Sequence, residues 1–82
     1  MELNFKKREV KVNFYGEKIS LNFPSSLMLR EYQERLLKEG TDYLEETYLF
    51  MEKLGVSRKI LEACEMPDLE ELVSVVCGQK KI

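Results

Sequence analysis

A change in hydrophobic periodicity at Pro24 constrains the fold of this 82-residue chain more than any other feature. Before Pro24, apolar and polar residues alternate, which is the period-two pattern of strands with one buried face. After it, apolar residues recur at helical spacing in four segments separated by glycine and proline. We therefore expect an α+β fold over residues 1–82, in which an N-terminal β-hairpin packs on a small bundle of about four helices.

The alternating segment predicts a hairpin within residues 1–23. Gly16 and Glu17 are expected to form a two-residue loop, because glycine in first position suits a type II′ turn. This loop pairs Phe14 with Ile19, Val12 with Leu21 and Val10 with Phe23, so that all six apolar side chains share one face. Leu3 and Phe5 continue the alternation, and a third strand is therefore left open.

Residues 26–78 are expected to form the helical part. Ser25 or Ser26 can cap the first helix, which is predicted to run to about Glu39. Asp42 begins the second helix with a glutamate three residues later, the spacing of a capping box. The second helix has the broadest apolar stripe, which indicates a central position in the bundle.

The last two helices are predicted from their caps and breaks. Ser57 is expected to cap a short third helix. Pro67 breaks that helix, and Asp68 is expected to begin the fourth. Residues 79–82 are expected to form a frayed tail.

Charge is unevenly distributed along the chain. Residues 1–30 carry six Lys/Arg against three Asp/Glu, whereas residues 31–71 carry five against twelve. The acidic middle disfavours nucleic acid as a partner, since backbone phosphates would be repelled. No apolar run reaches the roughly 18 residues of a membrane span, and the N-terminus shows no signal-peptide pattern. A cytoplasmic protein without nucleic-acid or membrane partners is expected.

Reactive side chains are scarce. The chain has no histidine, and Cys64 and Cys77 lie on apolar helix faces, so buried free thiols are expected rather than nucleophiles or a zinc site. Neighbouring carboxylates such as Glu45-Glu46 diverge by 100° around a helix and do not converge on one metal or substrate. We expect no enzyme activity, no catalytic residues, no metal and no cofactor.

Two apolar side chains fall outside the predicted core. Leu49 lies on the polar side of the second helix, and Val75 lies at the charged edge of the fourth. Single exposed apolar residues are common in proteins. Leu49 and Val75 are nevertheless the positions at which the sequence predicts a protein-binding or self-association surface.

Three segments resemble the small tail assembly chaperones of long-tailed bacteriophages and related prophages. They are the hairpin "NFYGEKISLNFPSS", the helix "LMLREYQERLLKEG" and the ending "YLFMEKLGVSRKILEACEMPDLEELVSVVCGQKK". The resemblance covers about residues 10–81 and consists largely of turn and cap positions.

This resemblance implies a non-enzymatic role in the host cytoplasm. Such a protein coats the tape measure protein, keeps it soluble during tail assembly, and leaves as tail tube subunits polymerise. The partners implied are the tape measure protein and the tail tube protein, with self-association as a further expectation. The alternatives are an unrelated protein-binding adaptor or regulatory module, a structural component of the virion, and a small nucleic-acid-binding regulator. The regulator would use Lys6, Lys7, Arg8 and Lys11 of the hairpin.

Overall fold

The computed structural model describes residues 2–78. The elements follow in the order β1 (Glu9–Phe14), β2 (Glu17–Asn22), α1 (Ser26–Leu36), α2 (Tyr43–Lys53), α3 (Arg58–Ala63) and α4 (Met66–Val76). The α+β fold with a hairpin and four helices is thus confirmed. Within the described range the sheet has two strands, and residues 2–8 belong to neither. The predicted frayed tail at residues 79–82 lies outside the described residues.

The hairpin loop differs from the prediction by one residue. Its two loop residues are Tyr15 and Gly16, both with positive φ (54° and 82°), as a type I′ turn requires. Val12 therefore pairs with Ile19 and Val10 with Leu21, so the predicted Gly16-Glu17 loop and its pairing are wrong.

This shift moves the pairing by two residues, which leaves every side chain on its predicted face. Val10 and Leu21 are accordingly buried on the inner face, and Val12, Phe14 and Ile19 are half-buried against the core. Phe23, which was expected to pair with Val10, lies beyond the ladder and is 38% exposed.

Side-chain caps set the starts of the first two helices. Ser25 Oγ accepts the backbone N–H of Met28 at 3.1 Å, and Asp42 Oδ1 accepts that of Glu45 at 3.1 Å. Both starts were predicted correctly. The helix α1 ends at Leu36 and not near Glu39.

The early end of α1 has a local cause. The hydroxyl of Thr41 donates to the C=O of Arg35 at 2.9 Å, which satisfies a carbonyl that the next helical turn would otherwise have bonded. The N–H groups of Leu37 and Lys38 bond three residues back instead of four, which tightens the last turn.

The helix α4 begins three residues earlier than predicted, since its N-cap is Glu65 and not Asp68. The first helical residue is Met66, so Pro67 and Asp68 both lie in the first turn. The predicted Asp68 cap is therefore wrong. Proline is tolerated in the first turn because the N–H that it lacks has no intrahelical partner there. Pro67 therefore lies within the first turn of α4 instead of separating α4 from α3.

The core surrounds α2, as its broad stripe predicted. Phe50, Met51 and Leu54 are buried, and Phe50 stacks on Tyr32 of α1 with ring centroids 4.2 Å apart. The N–H of Asn22 donates to the C=O of Leu54 at 3.1 Å, which attaches the outer edge of β2 to the end of α2.

An arginine network joins α2 to α3. The guanidinium of Arg58 bonds both carboxylate oxygens of Glu45 (3.0 and 2.8 Å) and one oxygen of Glu52 (3.0 and 2.8 Å). It also lies 5.3 Å from the ring centroid of Tyr48. Hydrogen bonding from Arg58 lowers the pKa of Glu45, so the carboxylate stays charged over a wider pH range.

A tyrosine in the hairpin loop joins the sheet to α4. The hydroxyl of Tyr15 donates to Asp68 Oδ2 and accepts the backbone N–H of Glu65 at 3.1 Å. The hydrogen bond to Asp68 is the main reason that the pKa of Tyr15 is raised. These contacts place α4 beside the hairpin and explain why a tyrosine occupies a positive-φ position.

Candidate protein-binding surfaces

The two residues that the sequence singled out lie in different environments. Leu49 is 40% exposed on α2, as predicted. Val75 is half-buried and packs against the core, so it belongs to the intramolecular packing from which the sequence had excluded it. It lines a groove with Val12 and Phe14 of β1, and Leu49 is not part of that groove. The structure therefore does not bring Leu49 and Val75 together.

A second partly apolar surface lies between α1 and α4, and we call it the α1–α4 cleft. It encloses about 280 Å³. Its walls are Leu29, Gln33 and Leu36 of α1, with Met66, Leu69, Glu70, Val73 and Ser74 of α4 and the C-cap residue Cys77; Tyr32, Tyr43 and Thr47 complete it.

Each wall of the cleft is one continuous helix face. On α1 the residues are spaced by four and three, and on α4 they follow the same three-and-four pattern from Met66 to Cys77. Each face thus extends over about two or three helical turns and is mainly apolar. Met66 (44% exposed) and Tyr43 (56% exposed) also leave apolar surface open to solvent beside the cleft.

The floor of the cleft is fixed by buried hydroxyl groups. Thr47 Oγ1 donates to the C=O of Tyr43 at 2.9 Å, so the hydroxyl of Tyr32 must donate to Thr47 Oγ1, also at 2.9 Å. Desolvation by burial is the main cause of the raised pKa of Tyr32, which keeps its hydroxyl neutral. Together with the Tyr32–Phe50 stack, these bonds hold α1 against α2 beneath the cleft.

The thiols of Cys64 and Cys77 are weak nucleophiles at neutral pH. Burial raises the pKa of Cys77, which lines the cleft, and that of Cys64. Both cysteines are free, as expected, but they are half-buried rather than fully buried. Within residues 2–78 no group of acidic or sulfur ligands is placed to hold a metal ion.

The helices of the described range were also compared with the dimensions of a bilayer. None of those within residues 2–78 combines the length and the apolar character that crossing a membrane requires.

Sequence reasoning missed the α1–α4 cleft because it assigned its walls to the core. Leu29, Leu36, Val73 and Cys77 have the correct helical spacing for burial, and all four are indeed partly buried. Tyr43 belongs to the broad apolar stripe from which a central position of the second helix was predicted, but its side chain is exposed. The available signal was the width of the apolar stripes, which exceeds what one small hairpin can cover.

Comparison of the chain with protein-family models, with curated proteins and with solved structures gives no match.

Proposed function

We propose that this protein binds a helix of another protein in the α1–α4 cleft and acts without catalysing a reaction. The observation that supports this proposal is the pair of apolar helix faces on α1 and α4, with a cleft of about 280 Å³ between them. An amphipathic helix places residues i, i+3, i+4 and i+7 on one side, and that stripe fits a groove lined by two helices. Such binding uses apolar contact and requires no titratable group.

The partner that we propose is the tape measure protein of a phage tail, with this chain as a tail assembly chaperone in the bacterial cytoplasm. This choice is based on the sequence resemblance of residues 10–81. A long helical protein needs its apolar stripe covered until assembly, and a cleft that covers a few turns would do this if many copies bound along it. The acidic residues 31–71 would keep such a complex soluble through net negative charge.

Co-expression tests the proposal. The full chain is produced together with the tape measure protein encoded nearest to it, and the soluble fraction is purified through a tag on the chain. We expect the tape measure protein to become soluble and to co-purify. A tape measure protein that remains insoluble and does not co-purify would contradict the chaperone role, and binding of a different helical protein would instead favour an adaptor.

Paired variants locate the binding surface. Met66→Asp places a charge at the cleft, and Leu27→Asp makes the same kind of change at a 62% exposed residue that does not line the cleft. Both residues lie in the first turn of a helix, where an acidic side chain is tolerated. We expect Met66→Asp to weaken binding about tenfold or more and Leu27→Asp to leave it unchanged.

Leu49→Asp tests the surface that the sequence predicted. Leu49 is exposed, so the substitution should leave the fold intact. If Leu49→Asp weakens binding and Met66→Asp does not, the partner binds the outer face of α2 and the cleft assignment is wrong.

A further inference from the structure

The outer edge of β1 is open. In a hairpin with a two-residue loop, Phe14 and Glu17 form a hydrogen-bonded pair, and bonded and non-bonded pairs then alternate along the strand. Glu9, Lys11 and Asn13 therefore direct their backbone N–H and C=O groups away from β2. Across residues 2–78, none of these three has a backbone hydrogen bond to another segment.

The outer edge of β2 is different. Its Asn22 N–H is bonded to the C=O of Leu54, and Gly55 lies so close to Ser20 that an added Cβ would be 3.3 Å from the Ser20 carbonyl oxygen. The end of α2 thus covers the outer edge of β2 at Ser20 and Asn22, and β1 is the edge that can accept another strand.

The charges along β1 complement a second copy of the same strand. If two β1 strands run antiparallel with Val10 at the two-fold axis, Glu9 of each copy lies directly opposite Lys11 of the other. Centring the pair on Glu9 or on Lys11 would place like charges opposite each other. Opposite charges at facing positions stabilise strand pairing and like charges destabilise it, so the register centred on Val10 is favoured.

The inner side of this arrangement is also complementary. In the same register Arg8 of the second copy lies opposite Val12, because facing residues of an antiparallel pair project to the same side. Val12 lines a groove of about 420 Å³ whose α4 side carries Asp68 and Glu71. The basic side chain would therefore enter a groove with an acidic wall.

We propose that two copies of the chain associate through their β1 strands and form a continuous four-stranded antiparallel sheet. The edges share the same residues, as a two-fold interface requires. The face of α4 toward β1 carries Asp68, Glu71 and Leu72, whereas Met66 and Val73 line the α1–α4 cleft. Dimerisation therefore leaves the cleft open and does not depend on the proposed function.

Charge reversal tests the dimer and its register together. Sedimentation velocity of the full chain over a wide concentration series should show a monomer–dimer equilibrium. Glu9→Lys or Lys11→Glu alone replaces two opposite-charge pairs by two like-charge pairs and should weaken dimerisation about tenfold. The double variant Glu9→Lys/Lys11→Glu restores opposite charges and should restore the dimer. Lys18→Glu, the same type of change on β2, should have no effect.

A proline variant tests the backbone contribution. The N–H of Lys11 points outward, so Lys11→Pro removes a donor from the open edge and none from the β1–β2 ladder. We expect a monomer with an unchanged circular dichroism spectrum. If Lys11→Pro unfolds the hairpin, the Glu9 and Lys11 charge-reversal variants still test whether the dimer forms through β1. A chain that stays monomeric at every concentration, or a dimer in which the double variant is no tighter than the single ones, would overturn the proposal.

Discussion

A double-mutant cycle between Tyr32 and Thr47 tests how the floor of the α1–α4 cleft is held. Tyr32→Phe removes the hydroxyl that donates to Thr47 across the α1–α2 interface. Thr47 keeps its own bond to the C=O of Tyr43, so the cost should be that of one net hydrogen bond, about 1 kcal/mol.

Thr47→Val has a larger expected cost. The hydroxyl of Tyr32 loses its acceptor while the residue remains only 6% exposed, and an unsatisfied buried donor costs about 2 kcal/mol. In Tyr32→Phe/Thr47→Val both hydroxyls are absent, so no buried donor is left without an acceptor. The double variant should therefore be about 1 kcal/mol more stable than the sum of the single changes predicts.

Urea unfolding followed by far-UV circular dichroism measures these differences. A domain of this size is expected to unfold in one cooperative step, and equal slopes for all four proteins would validate the comparison. Additivity of the two substitutions within about 0.3 kcal/mol would refute the bond between Tyr32 and Thr47 and the geometry of the cleft floor that depends on it.

Two further predictions concern the arginine network and the end of α2. Because Arg58 lowers the folded-state pKa of Glu45 below its ordinary value of 4.5, their ion pair stabilises the fold at higher pH and this contribution is lost as pH falls through the folded-state pKa. The urea midpoint of Glu45→Gln should consequently decrease less on acidification than that of the wild type. If the midpoints of the two proteins change equally with pH, the Arg58–Glu45 ion pair does not stabilise the fold in this way. Gly55→Ala should be more destabilising than Gly40→Ala by about 1 kcal/mol. The backbone φ is positive at both glycines, but only at Gly55 would the added Cβ crowd a neighbouring atom, the Ser20 carbonyl oxygen. Equal thermal stability of the two variants would contradict this contact.

Local signals were sufficient for the architecture. Ser25 and Asp42 act as caps through their own side chains, and the periodicity of the intervening residues specifies helix without reference to the rest of the chain. The alternation in β1 and β2 likewise predicted which face is buried, and that face is the same in either register.

Features that depend on distant contacts could not be predicted in this way. Gly16 is compatible with a type I′ or a type II′ turn, and the observed loop places Tyr15 so that its hydroxyl bonds to Glu65 and Asp68 some 50 residues away. The start of α4 at Met66 is coupled to the same contacts.

The candidate surfaces show the same limit. A helical wheel placed Leu49 on the outside correctly, since its side chain is 40% exposed. The wheel placed Val75 outside as well, but Val75 is half-buried against the core and lines a groove with Val12 and Phe14 of β1. Periodicity identifies an apolar face but does not say whether a neighbouring element covers it. The α1–α4 cleft could therefore be identified only from the structure.

The most direct test of helix binding in the α1–α4 cleft is an NMR titration of the isotope-labelled full chain. A synthetic amphipathic helix from the tape measure protein is added, and backbone and methyl shifts are followed. We predict saturable shift changes concentrated at Leu29, Leu36 and Val73, with little change at Leu49. Shift changes centred on Leu49, or none at all with a peptide that is shown to be helical, would contradict the account.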